Sequence, residues 1–99
     1  MDMHNETTMA SYEVRAELSG CKAVVGAKQM RKALCSGKAY RVYLAQNADP
    51  AITEPLVAVC RQNGVSLAWV KTMKELGEAA GIEVGAAAVA AVNKMNSDR

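Results

Sequence analysis

Short apolar runs alternate with amphipathic stretches along most of the chain. Runs rich in β-branched or small apolar residues predict strands at residues 23–25, 40–45, 65–70 and 86–92. Stretches with apolar residues at helical spacing predict helices at residues 13–18, 27–36, 53–63 and 72–80. Because strands that alternate with helices build crossover units, this pattern predicts a three-layer α/β/α sandwich with a four-stranded mixed sheet.

Capping residues and prolines indicate where two of the helices begin. Thr72 and Glu75 have the spacing of a capping box, in which each side chain satisfies a free amide of the first turn. Asp49 marks the entry to the preceding helix. Pro55, however, predicts that the regular part of that helix begins nearer Thr53.

The length and composition fit one small domain. The chain has 99 residues, 51% of them hydrophobic, but only 4% are aromatic and Phe is absent. Such a core must consist of closely packed small and β-branched side chains. Residues 1–11 are polar and lack periodicity, so they predict a mobile tail; residues 12–93 then form the domain, and residues 94–99 a second polar tail.

Several function classes are disfavoured by the sequence. It has neither a long uncharged apolar run nor the features of a signal peptide, so we expect a cytoplasmic protein without a membrane partner. Cys21, Cys35 and Cys60 are odd in number and far apart, which argues against disulfides and a zinc site and favours buried small hydrophobes. Since His4 in the predicted tail is the only histidine, we expect no catalytic residues, no cofactor and no metal.

Positive charge is concentrated in residues 20–46. That block contains no acidic residue and six basic ones: Lys22, Lys28, Arg31, Lys32, Lys38 and Arg41. A block of one sign, in a chain of net charge +2, indicates a surface for phosphate. A solvated face with no partner accounts equally well for the charge alone.

The helix predicted after Gly26 carries the first set of candidate RNA-binding residues. Lys28, Arg31 and Lys32 are spaced to share the face opposite the apolar side. Gly26 lets another backbone approach the helix N-terminus, whose free amides can donate to an anion or to a base edge. Gln29 can both donate and accept, as reading a base edge requires. An ordinary amphipathic helix with a charged outer face is the alternative.

The loop before the last predicted strand carries the second set of candidates. It consists of Ile82, Glu83, Val84 and Gly85 and follows a glycine. Exposed aliphatic side chains on a short loop can pack on an unstacked base of RNA. Alternatively, both aliphatic side chains turn inward and anchor the loop.

These two segments resemble those of a known family. Residues 25–34, Val-Gly-Ala-Lys-Gln-Met-Arg-Lys-Ala-Leu, are similar to the signature helix of the kink-turn-binding ribosomal proteins. Residues 76–89 are similar to the final helix, loop and strand of that family, and Ala48-Asp49-Pro50 stands between the two. The family contains the archaeal L-seven-Ae protein, the eukaryotic L-thirty-e protein and small bacterial homologues of the YbxF type. Lys-Gln at 28–29 matches the bacterial members, whereas archaeal and eukaryotic members usually carry Asn-Glu there, and often Pro at position 85.

The resemblance implies a fold and a function. It implies an α/β/α sandwich that binds kink-turns, which are RNA duplexes bent sharply at a bulge flanked by sheared G·A pairs. By this resemblance, the G·A pairs and adjoining phosphates would be contacted by Gly26, Lys28, Gln29 and Lys32. A flipped bulge nucleotide would be covered by Ile82, Glu83 and Val84.

The implied partner is a kink-turn of ribosomal RNA or of a riboswitch, with the ribosome as a further candidate. We expect a bacterial ribonucleoprotein component that is a monomer. The alternative is a protein-interaction adaptor that has the same fold and no specific RNA affinity.

Overall fold

A computed structural model describes residues 6–93, in which strands and helices alternate throughout. In chain order these are β1 (Glu6–Thr8), α1 (Ser11–Leu18), β2 (Cys21–Val25), α2 (Ala27–Cys35), β3 (Ala39–Ala45), α3 (Pro50–Asn63), β4 (Ser66–Val70), α4 (Met73–Ala80) and β5 (Ala88–Asn93). No helix within this range is long and apolar enough to cross a bilayer.

The strands form one mixed sheet in the order β1-β4-β3-β5-β2. Strands β1, β4 and β3 pair in parallel, whereas β5 lies antiparallel to both of its neighbours, β3 and β2. Therefore β1, β2, β3 and β4 all end at the edge of the sheet where β5 begins. We call this edge the carboxyl edge. The helices that follow these four strands all start there.

Alternate residues of the central strand pack against different helix layers. Tyr43 and Ala45 lie in the cluster that α1 and α4 cover, while Val42 and Leu44 lie in the cluster under α2 and α3. All four side chains are buried. Successive side chains of a strand point to opposite faces, so β3 serves both cores at once. The predicted three-layer α/β/α sandwich is confirmed.

Small side chains allow helices to cover both faces of β5. Val89 and Ala91 pack towards α1 and α4, and Ala88 and Ala90 pack towards α2 and α3. A strand buried on both faces reads as a continuous apolar run, as residues 86–92 do.

The largest differences between the predicted and the observed elements lie at the N-terminus and at the start of α3. The polarity of residues 1–11 predicts a tail, but residues 6–8 form β1 beside β4, and α1 begins at Ser11. Helix α3 begins at Pro50 rather than near Thr53. Proline fits the first helical position because the amide it lacks would have no partner there. Residues 1–5 and 94–99, including His4, lie outside the described residues.

The three cysteines occupy different environments. Cys60 is fully buried, as predicted, and burial raises the pKa of its thiol to about 11. Cys21 is half-buried, and Cys35 is exposed at the end of α2. The expectation that all three are buried is therefore wrong for Cys35, because the last turn of α2 turns that side chain to solvent.

Candidate nucleic-acid interface

The pairing of β2 with β5 brings the two predicted segments to one edge of the molecule. Val25, the last residue of β2, pairs with Val89 near the start of β5. Gly26 and helix α2 follow Val25 directly, and the loop of residues 81–87 leads into β5. Because paired strands lie about 4.8 Å apart, the start of α2 and the end of this loop are neighbours at the carboxyl edge.

Gly26 gives α2 an open start. Its backbone has φ 109° and ψ 129°, a conformation that residues with a side chain rarely adopt. A Cβ built on Gly26 would meet no atom of the protein within 4 Å. Glycine is thus required by the backbone angle, and the space in front of the first turn of α2 is open to an external group.

Among the described helices, α2 alone starts without a side-chain acceptor. Glu13 accepts a hydrogen bond from the amide that precedes α1, Asp49 caps α3, and α4 is capped by Thr72 and by Asn47. Helix α2 has neither a side-chain cap nor an acidic residue in its first turn. Its first amides and the positive end of its dipole can therefore interact with an external acceptor.

The two faces of α2 are separated as the periodicity predicts. Met30 and Leu34 are 0% exposed and pack into the core. The outer surface of the helix carries the exposed side chains of Lys28, Gln29, Arg31 and Lys32. Since α2 contains no acidic residue, this outer surface is positively charged along its length.

Arg41 does not contribute to that charged surface. It is the one half-buried member of the basic block, and its guanidinium lies 3.5 Å from the carboxylate of Glu17 on α1. The same carboxylate accepts a hydrogen bond from the hydroxyl of Tyr43. The interpretation of the six basic residues as one surface is wrong for Arg41, because β3 directs it under α1.

The loop of residues 81–87 folds back along α4 to the carboxyl edge. The amide of Ile82 donates to the Gly77 carbonyl at 3.0 Å, and the amide of Ala86 donates to the Met73 carbonyl at 3.0 Å. A Cβ on Gly77 would lie 2.1 Å from the Val84 carbonyl oxygen. Helix α4 therefore supports the loop over its whole length, and this contact requires glycine at position 77.

The two aliphatic side chains of the loop have different environments. Ile82 is half-buried and packs against the core under α1 and α4. Val84 is 70% exposed, and Glu83 and Gly85 are exposed on either side of it. One side chain thus anchors the loop and the other is presented to solvent, so each of the two alternatives holds for one residue.

A family model matches residues 10–99 of this chain, that of the ribosomal protein L7Ae/L30e/S12e/Gadd45 family. The chain belongs to this family. Relatives include RNA-binding protein YbxF of Geobacillus stearothermophilus, 44% identical over 73 residues, which are 74% of this chain and 89% of YbxF. The large ribosomal subunit protein eL8 of Halobacterium salinarum is 35% identical over 88 residues, which are 88% of this chain and 72% of eL8.

A solved structure of another protein has the same fold as this family member. The Giardia lamblia 15.5kD RNA binding protein superposes with a TM-score of 0.74 at 24% identity, covering 89% of this chain and 75% of that one. The resemblance to the ribosomal family and to its YbxF-type members, inferred from residues 25–34 and 76–89, is confirmed.

Three residues that shape the interface of this L7Ae/L30e-family chain were not singled out from the sequence. Gly77 could have been noticed, because glycine is disfavoured inside helices and needs a packing reason there. Asn47 accepts from the Met73 amide at 2.8 Å, and Val25 is 41% exposed at the end of β2. No sequence pattern signals these last two, because both roles depend on contacts between distant segments.

Proposed function

We propose that this protein binds kink-turn RNA through a joint surface formed by the start of α2 and the loop of residues 82–85. The supporting observation is the β2–β5 pairing, which brings the uncapped N-terminus of a basic helix to the same edge of the sheet as the end of the loop that exposes Val84. RNA-binding proteins recognise unstacked nucleotides by combining amide donors, cationic side chains and apolar surface.

The names of the relatives support RNA as the class of partner. The matching bacterial relatives are named RNA-binding proteins, and the archaeal relative is a ribosomal protein. We infer that this chain also binds a structured RNA, with ribosomal RNA and riboswitches as the candidate sources of the kink-turn.

Different side chains serve different parts of the bent RNA in this proposal. The open amides after Gly26 and the amide group of Gln29 contact base edges at the G·A pairs. The phosphates beside these pairs are bound by Lys28, Arg31 and Lys32. The flipped bulge nucleotide packs against the presented loop, which consists of Ile82, Glu83, Val84 and Gly85.

The proposed role is stabilisation of one RNA shape rather than catalysis. A free kink-turn interconverts between extended and bent forms, and a protein that binds only the bent form shifts the population towards it. Base-edge contacts supply the shape selectivity, while contacts between cations and phosphates supply affinity that falls with salt.

A gel-shift titration with two RNAs tests this function. One RNA is a standard kink-turn, and the other is the same duplex with its G·A pairs replaced by Watson–Crick pairs. We expect tight binding to the first RNA only. Equal binding to both would overturn specific recognition, and binding to neither would favour the protein-interaction adaptor.

A further inference from the structure

Two lysines of the basic block lie away from the proposed kink-turn contacts. Lys22 is exposed on β2, an edge strand of the sheet. Val24, two residues further on, packs into the cluster under α2 and α3. Because residues two apart share one face of a strand, the side chain of Lys22 emerges on the face that α2 covers.

Lys38 lies at the far end of α2 from the carboxyl edge. Its amide donates to the Ala33 carbonyl at 3.0 Å, which folds the residue back on the last turn of the helix, and its side chain is exposed. The next residue, Ala39, pairs with Val92, and Lys22 pairs with Val92 from the other side. The two lysines are therefore at the same level of the sheet.

These two lysines lie at the end of α2 that is distant from the carboxyl edge, and the three cations on α2 lie between them and that edge. We call this set of cations the α2 track; it consists of Lys28, Arg31, Lys32, Lys22 and Lys38. Helix α2 spans Ala27–Cys35, about 13 Å at the rise of an α-helix. Within the described residues, none of these five cations is paired with a carboxylate. Unneutralised charges of one sign repel each other, and an anionic partner would reduce this repulsion.

The chemistry of the track favours nucleic acid over protein. Protein partners bury an apolar centre in their interfaces, whereas the exposed large hydrophobic side chains nearest to α2 in sequence, Val25 and Tyr40, lie outside that helix. A duplex instead presents phosphates at regular intervals of a few ångströms, so a row of cations about 13 Å long faces roughly four base pairs.

We infer that the α2 track binds the phosphate backbone of one duplex arm of the kink-turn, from the kink down to the level of Lys22 and Lys38. This inference rests on the proposed function and extends it. In this inference the protein binds a straight helical arm of the RNA as well as the bend.

The test combines a charge change on the protein with one on the RNA. The variant is Lys22→Gln/Lys38→Gln, and the matched control is Lys22→Arg/Lys38→Arg, which keeps both charges. The RNAs are an intact kink-turn and two versions with neutral methylphosphonate linkages three to six base pairs from the kink, one version for each arm.

For the intact RNA, we expect the Gln variant to bind roughly tenfold more weakly at about 0.1 M salt, because two phosphate contacts are lost. The slope of log affinity against log salt should fall in magnitude by about 1.8, at roughly 0.9 for each contact. For the RNA neutralised in the bound arm, the variant and the wild type should bind equally. The Arg variant should behave as the wild type, and all three proteins should unfold at the same temperature.

Wild-type affinity in the Gln variant, or the same loss with all three RNAs, would overturn the α2 track. A failure of the proposed function is recognised separately, since the wild type would then not distinguish the kink-turn from its Watson–Crick counterpart.

Discussion

Gly77 of α4 lies directly against the backbone of Val84, so closely that a Cβ at position 77 would stand 2.1 Å from the Val84 carbonyl oxygen. Neither partner can yield easily, because the clash involves backbone on both sides. The contact fixes the height of the loop above the helix. It thereby sets the position at which Val84 is exposed on the loop before β5.

Gly77→Ala should move the loop away from α4. Overpacking typically costs about 1–3 kcal/mol, and the better helix propensity of alanine returns up to about 1 kcal/mol. We expect a net loss of roughly 1–2 kcal/mol in the free energy of unfolding, measured by urea denaturation. The affinity for the kink-turn should also fall, by more than the smaller fraction of folded protein accounts for. Gly20→Ala is the control, since a Cβ there meets nothing within 4 Å; an equal effect of both substitutions would contradict this account.

Gly26→Ala should weaken RNA binding as well as the fold. Its φ of 109° strains any residue with a side chain, at a cost of about 1–3 kcal/mol. Relief of that strain would turn the first amides of α2 away from the open space that they face. Gly64, with φ 67°, also adopts the left-handed region, but it ends α3 and therefore lies away from the carboxyl edge, where that helix begins. Gly64→Ala should therefore lower the melting temperature without changing the RNA affinity of the folded protein. RNA affinity unchanged by Gly26→Ala would refute the role of this turn.

Lys28→Ala and Gln29→Ala should weaken kink-turn binding in different ways. Loss of a phosphate contact at Lys28 should lower the magnitude of the salt slope by about 0.9. Loss of a base-edge contact at Gln29 should reduce discrimination between the kink-turn and its Watson–Crick counterpart by roughly 1–3 kcal/mol, at an unchanged salt slope. Filter-binding titrations at several salt concentrations measure both quantities. Gln62→Ala, at an exposed glutamine of α3, is the matched control and should bind as the wild type.

Cys60 should make the fold sensitive to alkaline pH. Burial raises the pKa of its thiol from 9.0 to about 11. A group whose pKa is raised in the folded state contributes stability that is complete below the unfolded pKa and is lost as pH rises through the folded pKa. From a pKa difference of about two units, the free energy of unfolding at pH 10 should be about 1.4 kcal/mol lower than at pH 7 from this group.

The measurement for Cys60 is chemical denaturation at both pH values. Cys60→Ala is less stable at every pH because of the cavity that it leaves, but it should lose less stability than the wild type between pH 7 and pH 10. Parallel pH profiles of the two proteins would show that the thiol does not titrate in this range.

Local periodicity was sufficient to predict most elements of the fold. The spacing of Met30 and Leu34 on α2, and the continuous apolar run of β5, reflect repeats of the chain itself, so they are visible without any tertiary contact. The sequence predicts too late a start for α3, because Pro55 is unfavourable inside a helix. The structure caps this helix with Asp49 and continues it through the proline.

Three features can be recognised in the sequence without tertiary information: the alternation of strands and helices, the charged face of α2 and the two segments that resemble the ribosomal family. The folded structure was needed to show that these segments lie at one edge of the sheet and that Arg41 pairs with Glu17. It also shows that Val84 is exposed while Ile82 is half-buried, and that residues 6–8 add a strand. This difference arises from the range of the interactions. Helix and strand periods follow from the geometry of neighbouring residues, whereas strand pairing, ion pairing and burial depend on contacts between residues far apart in the chain.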